Sequence, residues 1–515
     1  MSETQQLWQF DGGLKLNSQK DISTRNSIVK CKASKRYTVP LQQHIGKTAE
    51  PVVAIGDTVK KGQMIAQPVT VFSAAAHSPV SGRVVDIGLY STPHPSGLKS
   101  ECIVIENDFK DEWDGRDSVG NFYEVMTSHD LRQLVSDAGI VGLGGAGFPT
   151  AIKQTEINIH TLILNGAECE PYITCDDALM REHAEEIISG AEIIAHIIKA
   201  RECIIAIEDN KPEAIAAIQQ VVDNDGTDFF RVQSVPTIYP SGGEKQLIKI
   251  ITGKEVPVNG LPADIDILCQ NVATAYAIHN AVHKDEPLIS RIVTITGDGI
   301  ENPQNMEVLI GTNMSECVEQ CGGYKQQATS LIVGGPMMGF ALKDDQAPIT
   351  KASNCLLIST DDQIEKPQPP QMPCIRCGHC VDVCPARLLP QQLYWYASSH
   401  NFERIKEYRL SDCIECGCCS YVCPSKIPLV QYYRYAKAEI RKIKFDTNDS
   451  DKARQRYEDR NIRLDNIKLE REQRLQRKRE LLKNKSSDNN KQKVIEEALA
   501  RVAAKKAATS TTDNK

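Results

Sequence analysis

The chain has 515 residues, of which 41% are apolar and 25% charged. This composition is that of a globular protein with roughly three or four domains, and it excludes global disorder. The formal net charge of −7 combines an acidic body of −16 over residues 1–435 with a basic tail of +9 over residues 436–515. Nine of the 18 cysteines lie within residues 374–423, which argues against a secreted disulfide scaffold and indicates metal binding in a reducing compartment.

The amino-terminal segment MSETQQLWQF has neither a basic nor an apolar region, so we expect no signal peptide. The most apolar long window, residues 187–207, contains several charged side chains and is too polar to cross a bilayer. Any membrane association is therefore predicted to be peripheral and to depend on partners or on the surface of the chain.

Residues 1–30 are predicted to form an N-terminal arm, and residues 31–115 a β-rich module in which short Val and Ile runs alternate with turns. The phrases IGDTVKKGQMIAQ and HSPVSGRVVDIG resemble the barrel-sandwich of lipoyl and biotinyl carrier domains. A carrier needs a lysine at the hairpin tip, and the tip here reads VFSAAAHSP. We therefore expect a structural module without a swinging-arm function.

Residues 116–290 alternate short apolar runs with amphipathic stretches, which predicts an α/β domain with mostly parallel strands. The predicted strands are 161–164, 203–207, 229–235 and 265–269. The predicted helices are 128–137, 177–199, 211–222, 244–251 and 272–283.

The last third of the chain contains three further segments and a linker. Residues 291–360 are strand-rich with one helix near 314–322, which suits a small β-grasp-like α+β module. Residues 361–373 form a Pro-rich linker, and residues 374–435 form a cysteine-rich module. The apolar-poor tail, residues 436–515, is predicted to be a solvated helix followed by disorder, because its Ile and Leu residues do not sustain a heptad.

Eight cysteines repeat one spacing, in which three cysteines two residues apart precede a fourth cysteine and a proline. Three such cysteines can direct thiolates to one iron–sulfur cubane, while the fourth ligates the other cluster in two-cluster ferredoxins. We therefore predict one 4Fe–4S cluster on Cys374, Cys377, Cys380 and Cys423, and a second on Cys413, Cys416, Cys419 and Cys384.

Zinc is the alternative metal for a sulfur-only site. A zinc ribbon uses two pairs of cysteines for each metal, so the repeated quadruple run with both prolines favours iron–sulfur. Cys418 interrupts the second run without changing its spacing and is interpreted as a bystander thiol. Two adjacent clusters without a substrate pocket predict a one-electron relay.

A glycine-rich run, GLGGAGFPTAIK at residues 142–153, contains candidates for phosphate binding. Successive backbone N–H groups of such a run can wrap a phosphate. The run precedes the first predicted strand of its domain, so it lacks the context of a dinucleotide fingerprint, and a plain loop is the simpler interpretation of the glycines alone.

Three companion segments follow predicted strands: NGAECEP at 165–171, SGGE at 241–244, and Asn271-Val272. Ligands of open α/β sheets bind beyond the carboxyl ends of the strands, so these segments are expected to converge there. Solvated loop carboxylates and helix-start charges are the alternative interpretation of Glu168, Glu170 and Glu244.

This combination is similar to the flavin- and NADH-binding subunit of respiratory complex I. Over essentially the whole chain it resembles the family of the C subunit of the Rnf ion-translocating electron transport complex. The motifs that carry the resemblance are GGAGFPT, NGAECEPY and the twin cysteine runs. The resemblance implies five modules in this order: a barrel-sandwich, an FMN-type α/β domain, a β-grasp module of the soluble ligand-binding type, a helical two-cluster ferredoxin and a charged extension.

Carried over residue by residue, the resemblance also implies a site. The residues implied to approach the FMN phosphate and ring are Gly142, Gly144, Gly145 and Gly147, with Lys153 adding positive charge. Asn165 and Asn271 are implied to hydrogen-bond the flavin, and Glu168, Glu170 and Glu244 to face the nicotinamide. The sequence differs from complex I at Leu143, Ala167 and Gly243, where complex I has arginine, aspartate and glutamate.

The function implied is that of a peripheral subunit on the cytoplasmic side of the inner membrane, in an ion-translocating NAD:ferredoxin-type oxidoreductase. Electrons would pass between NAD(H), non-covalently bound FMN and the two 4Fe–4S clusters. The implied partners are integral membrane subunits and an iron–sulfur or ferredoxin-linked subunit, with no nucleic acid. Two other hypotheses are a flavin-free iron–sulfur relay that serves as a docking scaffold, and a zinc-dependent structural protein.

Overall fold

The computed structural model describes residues 6–115, 120–145, 147–155, 159–360, 370–486 and 490–509. The chain divides into two units, residues 1–436 and residues 437–515, which are described separately. Within the described ranges, no helix combines the length and the apolar character that a membrane span requires.

The N-terminal module is a sandwich of two sheets, with strand orders β2-β8-β7-β4 and β3-β5-β6. Its strands, together with a short strand that precedes them, are β1 (Val29–Lys30), β2 (Arg36–Pro40), β3 (Glu50–Pro51), β4 (Thr58–Val59), β5 (Met64–Gln67), β6 (Ala76–His77), β7 (Gly82–Ser91) and β8 (Lys99–Asn107). Apolar side chains from both sheets, including Val39, Ile65 and Ile105, form one core. This is the β-rich module that the sequence predicts.

Most of the hairpin tip of this module, residues 73–79, is buried, whereas Val71 and Phe72 are exposed. Ala75 is fully buried, and its carbonyl accepts a hydrogen bond of 2.6 Å from the Lys351 ammonium. The same ammonium donates to the carbonyl of Gly139 at 2.6 Å. The tip therefore joins the sandwich to the two modules that follow, as suits a structural role.

The next module has a four-stranded parallel sheet of order β11-β10-β9-β12. Its elements are α1 (Ser128–Asp137), α2 (Thr150–Lys153), β9 (Thr161–Gly166), α3 (Cys175–Glu182), α4 (Ala184–Ile198), β10 (Glu202–Glu208), α5 (Pro212–Asp225), β11 (Phe230–Val235), α6 (Glu244–Thr252), β12 (Ile267–Asn271) and α7 (Val272–Lys284). Leu162 and Ile205 face the core formed with α4 and α7, whereas Ile163 and Ile204 face the core formed with α6. Both faces of the sheet are therefore covered, which explains the continuous apolar runs of its strands.

Two predicted elements of this module differ from the structure. The predicted helix 177–199 is two helices, because His183 leaves the helical conformation with φ −132° and ψ 39°. The break lets α3 pack on α5 while α4 packs along α7. The predicted strand 265–269 begins two residues later, because Pro262–Ile265 forms a 3-10 turn and Asp266 has φ +60°.

The third module contains a six-stranded mixed sheet of order β1-β14-β13-β17-β15-β16 and one helix. Its remaining elements are β13 (Ser290–Thr296), β14 (Gln304–Leu309), α8 (Met314–Gln320), β15 (Ala328–Val333), β16 (Phe340–Ala341) and β17 (Cys355–Thr360). Strand β1 pairs in parallel with β14, so the end of the predicted N-terminal arm belongs to this sheet. Earlier in the arm, Leu14 forms a β-bridge with Tyr239.

The cysteine-rich module is helical, as its sequence predicts. It contains α9 (His379–Asp382), α10 (Pro390–Ser398), α11 (Phe402–Glu407) and α12 (Cys418–Tyr421), and α13 (Leu429–Ser486) begins at its end. The predicted linker lies largely at residues 361–369, outside the described residues.

The second unit, residues 437–515, is helical wherever it is described. It consists of the remainder of α13 and of α14 (Asn490–Thr509). The described side chains of this unit are almost all exposed, which agrees with a solvated helix. The prediction of disorder after the first helix is wrong for Asn490–Thr509, where Ala, Glu, Lys and Arg residues with high helix propensity form a second helix.

Candidate functional site

The candidate site lies where the strand order of the parallel sheet reverses, between β9 and β12. Asn165, the penultimate residue of β9, lies in register with Asn271, the last residue of β12. A cavity of about 720 Å³ opens beside these two residues. Such a switch point at the carboxyl ends of strands is the usual ligand position in open α/β sheets.

Most of the predicted site residues line this cavity. They are Gly142, Gly144, Gly145, Lys153, Asn165, Glu168, Glu170, Glu244 and Asn271. Gly147 is outside the cavity wall, because its carbonyl accepts a hydrogen bond from the backbone N–H of Ile45 at 2.9 Å and it packs beside the sandwich. The companion segments therefore converge as the sequence predicts, whereas Gly147 lies on the side of the glycine loop that contacts the sandwich.

The glycine loop is a closed turn with one open position. The N–H of Gly142 donates to the carbonyl of Phe148 at 2.7 Å and closes the loop. Gly145 has φ +103°, and no atom lies within 4 Å of the place where its Cβ would stand. At Gly144 a Cβ would lie 3.3 Å from the side chain of Asn271. The absence of side chains therefore leaves room for a ligand to approach the backbone.

The two asparagines use their amides to fix the local backbone. The Asn165 amide donates to the carbonyl of Gly242 at 2.9 Å, and its oxygen accepts from the N–H of Ala167 at 3.0 Å. The Asn271 oxygen caps α7 by accepting from the N–H of Ala273 at 2.9 Å. Its amide donates to the Asp176 carboxylate at 2.6 Å. All of these hydrogen bonds are to protein atoms and hold the cavity wall in place. Contact of either asparagine with flavin therefore stays a prediction.

Lys153 and Glu244 form an ion pair at the cavity wall. The Lys153 ammonium also donates to the carbonyl of Cys269, in the middle of β12, at 2.6 Å. Because Lys153 ends the short helix α2 and Glu244 begins α6, the pair joins two helix ends whose residues are 91 positions apart in the sequence. The pair supplies both a cation and a carboxylate to one side of the cavity.

Glu168 is buried with one carboxylate oxygen unsatisfied. Its Oε1 accepts from the backbone N–H of Asp176 at 2.9 Å, whereas its Oε2 has no hydrogen-bond partner. The nearest cation to Oε2 is the ammonium of Lys20, 3.9 Å away, on the N-terminal arm. Burial lowers the pKa of Lys20, which itself donates to the carbonyl of Glu170 at 3.1 Å.

Glu170 connects the α/β module to the six-stranded sheet. Its Oε1 accepts from the backbone N–H groups of Met337 and Met338, at 2.6 and 3.0 Å. Burial raises the pKa of Glu170, and these two hydrogen bonds oppose the increase. A Cβ at Gly335 would lie 2.0 Å from the Glu170 side chain, so the loop at 334–339 packs directly on this carboxylate. A role toward nicotinamide stays a prediction.

Three groups of residues important for the site were not predicted from the sequence. Lys20 and Asp176 lie beside Glu168, and Tyr239 lies in the cavity wall. The buried ion pair Glu208–Lys211, 2.6 Å long, supports the glutamate loop, since the Lys211 ammonium lies 3.4 Å from the Glu168 carbonyl. The acidic pair after NGAECEPYITC carried no sequence signal of this environment, because two aspartates in the first turn of a helix are common as exposed charges at its N-terminus.

The eight motif cysteines gather into two sets that line separate cavities. One cavity is lined by Cys374, Cys377, Cys380 and Cys423. The other is lined by Cys384, Cys413, Cys416 and Cys419, together with Cys418. All eight thiols are free of disulfides, and each set takes three cysteines from one run and the fourth from the other. This donor chemistry fits two iron–sulfur clusters.

The second cysteine set adjoins the large cavity. Ile414 contributes to the walls of both cavities, and the hydroxyl of Tyr239 donates to the carbonyl of Cys416 at 2.6 Å. Tyr239, Cys416 and Cys418 form one buried cluster, against which Met337 packs. The first cysteine set has no residue in the wall of the large cavity.

The large cavity also fits a polar ligand of the size of a flavin nucleotide. Pockets of about 300–1,000 Å³ hold ligands of this size. Beyond Glu168, the wall contains unsatisfied buried atoms at Gln246 Oε1 and Gln270 Nε2. Buried polar atoms in native proteins usually have partners, and in this cavity a ligand or water can supply them.

Four family models match successive parts of the chain. Residues 8–110 match the RnfC barrel sandwich hybrid domain, and residues 135–280 match the Nuo51 FMN-binding domain. Residues 292–341 match the SLBB domain, and residues 373–427 match the 4Fe–4S dicluster domain. The chain is thus a multidomain α/β protein whose cofactors are FMN and 4Fe–4S clusters.

Curated relatives match nearly the whole chain. One is the C subunit of the ion-translocating oxidoreductase complex of Vibrio cholerae, 46% identical over 99% of this chain and 66% of its own length. The protein of the same name from Serratia proteamaculans is 45% identical over 98% of this chain and 71% of its own length. The chain spans less than two thirds of the length of the first relatives that it matches. Among solved structures, an NAD⁺-reducing [NiFe]-hydrogenase matches with a TM-score of 0.44 and 18% identity, over 62% of this chain and 64% of the hydrogenase chain.

Proposed function

The chain belongs to the family of the C subunit of ion-translocating oxidoreductase complexes, and on this basis we propose that it passes electrons between NAD(H), FMN and two 4Fe–4S clusters. It does so as a peripheral subunit on the cytoplasmic side of an inner-membrane oxidoreductase complex that translocates ions. Its partners are integral membrane subunits and an iron–sulfur or ferredoxin-linked subunit. Bound FMN supplies the exchange between two-electron and one-electron chemistry.

One observation carries this proposal: the cavity at the switch point shares a wall with a cysteine set. Ile414 and Tyr239 separate the cavity from Cys416 by one layer of side chains. Cys413, Cys416, Cys419 and Cys384 would therefore hold the cluster that receives electrons from the cavity, and Cys374, Cys377, Cys380 and Cys423 would hold the cluster that passes them on.

The chain's own residues hold and orient the ligands. Gly144 and Gly145 would give a flavin access to backbone N–H groups, and Lys153 would supply positive charge for its phosphate. Glu168 and Glu244 line the remaining space, which would receive the nicotinamide. Glu170 keeps the loop at 334–339 against the cavity through the backbone N–H groups of Met337 and Met338.

The experiment that tests this proposal compares two glycines with the same backbone constraint. Gly145 and Gly226 both have positive φ and open space at Cβ, but only Gly145 lines the cavity. We expect Gly145→Glu to reduce bound FMN at least about tenfold, because the side chain fills the cavity and repels a phosphate. Gly226→Glu, the control, retains FMN at the wild-type level.

Flavin released by denaturing the purified chain and NADH–ferricyanide activity are the two measurements. Iron and sulfide are determined in the same samples. If Gly145→Glu keeps its FMN and its activity, the cavity is not the flavin site. If wild-type protein contains iron and sulfide but no flavin at any stage of purification, the chain is a flavin-free relay.

A further inference from the structure

Asp176 is a buried carboxyl group in the wall of the large cavity. It stands in the first turn of α3 and is 8% exposed. Its Oδ2 accepts the 2.6 Å hydrogen bond from the Asn271 amide. One oxygen of Asp176, one oxygen of Glu168 and the Cys175 sulfur lie within 4.8 Å of one another. Asp176 therefore shares a desolvated space with a second carboxylate.

The two carboxylates do not have the surroundings of a metal site. The Glu168 side chain is 5% exposed, and its free Oε2 is near the Lys20 ammonium, which already supplies a positive charge. Two like charges in such a space are unfavourable, and a proton on one of them relieves the repulsion. Since Oδ2 of Asp176 accepts from Asn271, Oδ1 is the oxygen available to carry such a proton.

We propose that Asp176 is the proton-exchanging group of the cavity, held in place by Asn271 and Glu168. The step is a proton transfer alone: the Oδ1–H bond breaks, a bond forms from that proton to a ligand atom, and the reverse transfer restores the acid. No electrons pass through the aspartate. This inference rests on the proposed function, which places a redox ligand in the cavity that takes up and releases protons.

The electrostatic surroundings agree with this role. Burial, and then the neighbouring Glu168 carboxylate, raise the pKa of Asp176 to about 7, whereas the Asn271 hydrogen bond and the nearby Arg291 and Lys211 oppose the increase. A group that both donates and accepts protons works best with a pKa near the working pH. Cys175, Asp177, Arg181 and Lys20 are also near it, and the cavity wall it faces further contains Lys153, Cys169, Glu170, Tyr239, Glu244, Lys245 and Cys269.

The test is the pH dependence of flavin binding to the full-length chain, measured by fluorescence quenching between pH 5.5 and 8.5. Riboflavin is used beside FMN, because it lacks the phosphate and its ionisation. We expect riboflavin affinity to fall above pH 7 by up to about tenfold per pH unit, as one linked proton is lost. In Asp176→Asn, which keeps the acceptor for Asn271, we expect the affinity to be independent of pH over this range.

Asp177→Asn is the matched control, because Asp177 is the next residue of α3 but pairs with Arg181 and is absent from the cavity wall. It is expected to keep the wild-type profile. Asp176→Ser carries the same expectation as Asp176→Asn should the latter not fold. A flat wild-type profile, or an unchanged profile in the Asp176 variants, overturns the inference. A chain that binds neither flavin at any pH instead contradicts the proposed function.

Discussion

The two cysteine runs have the same spacing but different surroundings. Cys416 and Cys419, in the second run, are buried, whereas Cys377, in the first run, is exposed. The glycines that follow the second cysteine of each run differ in the same way. A Cβ at Gly417 would lie 2.7 Å from the Met337 carbonyl, whereas a Cβ at Gly378 would meet no atom within 4 Å.

This difference shows that identical ligand motifs acquire their roles from what packs on them. The second run is covered by the α/β module and the six-stranded sheet through Tyr239 and Met337. The first run is left more open to solvent. One cluster site is therefore suited to receive electrons from within the chain, and the other to pass them to a partner.

The largest expected effect comes from removing one ligand in each set. We expect Cys416→Ser and Cys377→Ser each to lower the iron content from about eight to about four atoms per chain. NADH should still reduce the remaining cluster in Cys377→Ser, but at least about tenfold more slowly in Cys416→Ser, because the entry site is lost. Iron determination and bleaching of visible absorbance measure both effects.

Cys418→Ser is the control for this comparison, because Cys418 lies in the same buried cluster outside the motif spacing. Its iron content is expected to be unchanged. Equal reduction rates in Cys416→Ser and Cys377→Ser would contradict the order of the two sites.

The next largest effect is expected from replacing Gly417 and Gly378, the glycines that follow the second cysteine of each run. Gly417 and Gly378 have φ of +83° and +89°, so alanine is strained at both, by about 1–2 kcal/mol. At Gly417 the added Cβ also collides with the Met337 carbonyl, so we expect Gly417→Ala to destabilise the chain by about 2 kcal/mol more than Gly378→Ala. Thermal unfolding measures the melting temperature of each variant. Equal melting temperatures would show that the Met337 carbonyl moves away from the added Cβ without loss of stability.

A smaller effect is expected from two buried tyrosines that make the same hydrogen bond. Tyr239 donates to the carbonyl of Cys416 and Tyr433 to the carbonyl of Pro390, both at 2.6 Å. Replacing either by phenylalanine should cost about 1–2 kcal/mol, because a buried carbonyl loses its partner. Only Tyr239→Phe should also slow cluster reduction by NADH, since only that bond joins the cavity to the second run. Stopped-flow absorbance measures the rate of cluster reduction in the two variants. Slower reduction in both would show that the effect comes from looser packing of the protein and not from the bond between Tyr239 and Cys416.

The smallest effect concerns ion pairs beside the two runs. Arg434 pairs with Glu415 at 2.9 Å in a half-buried position, and Arg387 pairs with Glu255 at 2.9 Å at an exposed one. We expect Arg434→Gln to cost up to about 1 kcal/mol and Arg387→Gln less, because solvent screens the exposed pair. Unfolding at low and at 1 M salt tests this, and the difference between the variants should narrow as salt rises.

Periodicity and motif spacing predicted the elements that local physics determines. The parallel strands followed from runs such as TLIL and CIIAI, which are apolar because both faces of the sheet are covered. The loops after β9 and β12 followed from strand ends, which must lie together in a parallel sheet. The helix break at His183 was missed, because the apolar pattern continues across it and tertiary packing alone separates α3 from α4.

The charged residues buried in the site could be recognised only from the structure. Lys20 reaches Glu168 across 148 residues, and Arg291 donates to the carbonyl of Leu143 across the same number of residues. Such contacts have no local signature, since each partner alone has the sequence context of a surface charge. Asp176 was missed for the same reason, because its special environment arises from Asn271, Glu168 and burial together.

The N-terminal arm has a consequence for how the chain is made. The N–H groups of Trp8 and Gly13 donate to the carbonyls of Ile250 and Val383, and the Lys20 ammonium donates to the carbonyl of Glu170, so the arm binds partners from two later modules. Modules usually fold one after another as they leave the ribosome. The contact between Gly13 and Val383 can form only after the start of the cysteine-rich module has been synthesised, so this part of the arm fastens an α/β module that is already folded. The arm thereby connects the α/β module to the cysteine-rich module at a late stage of folding.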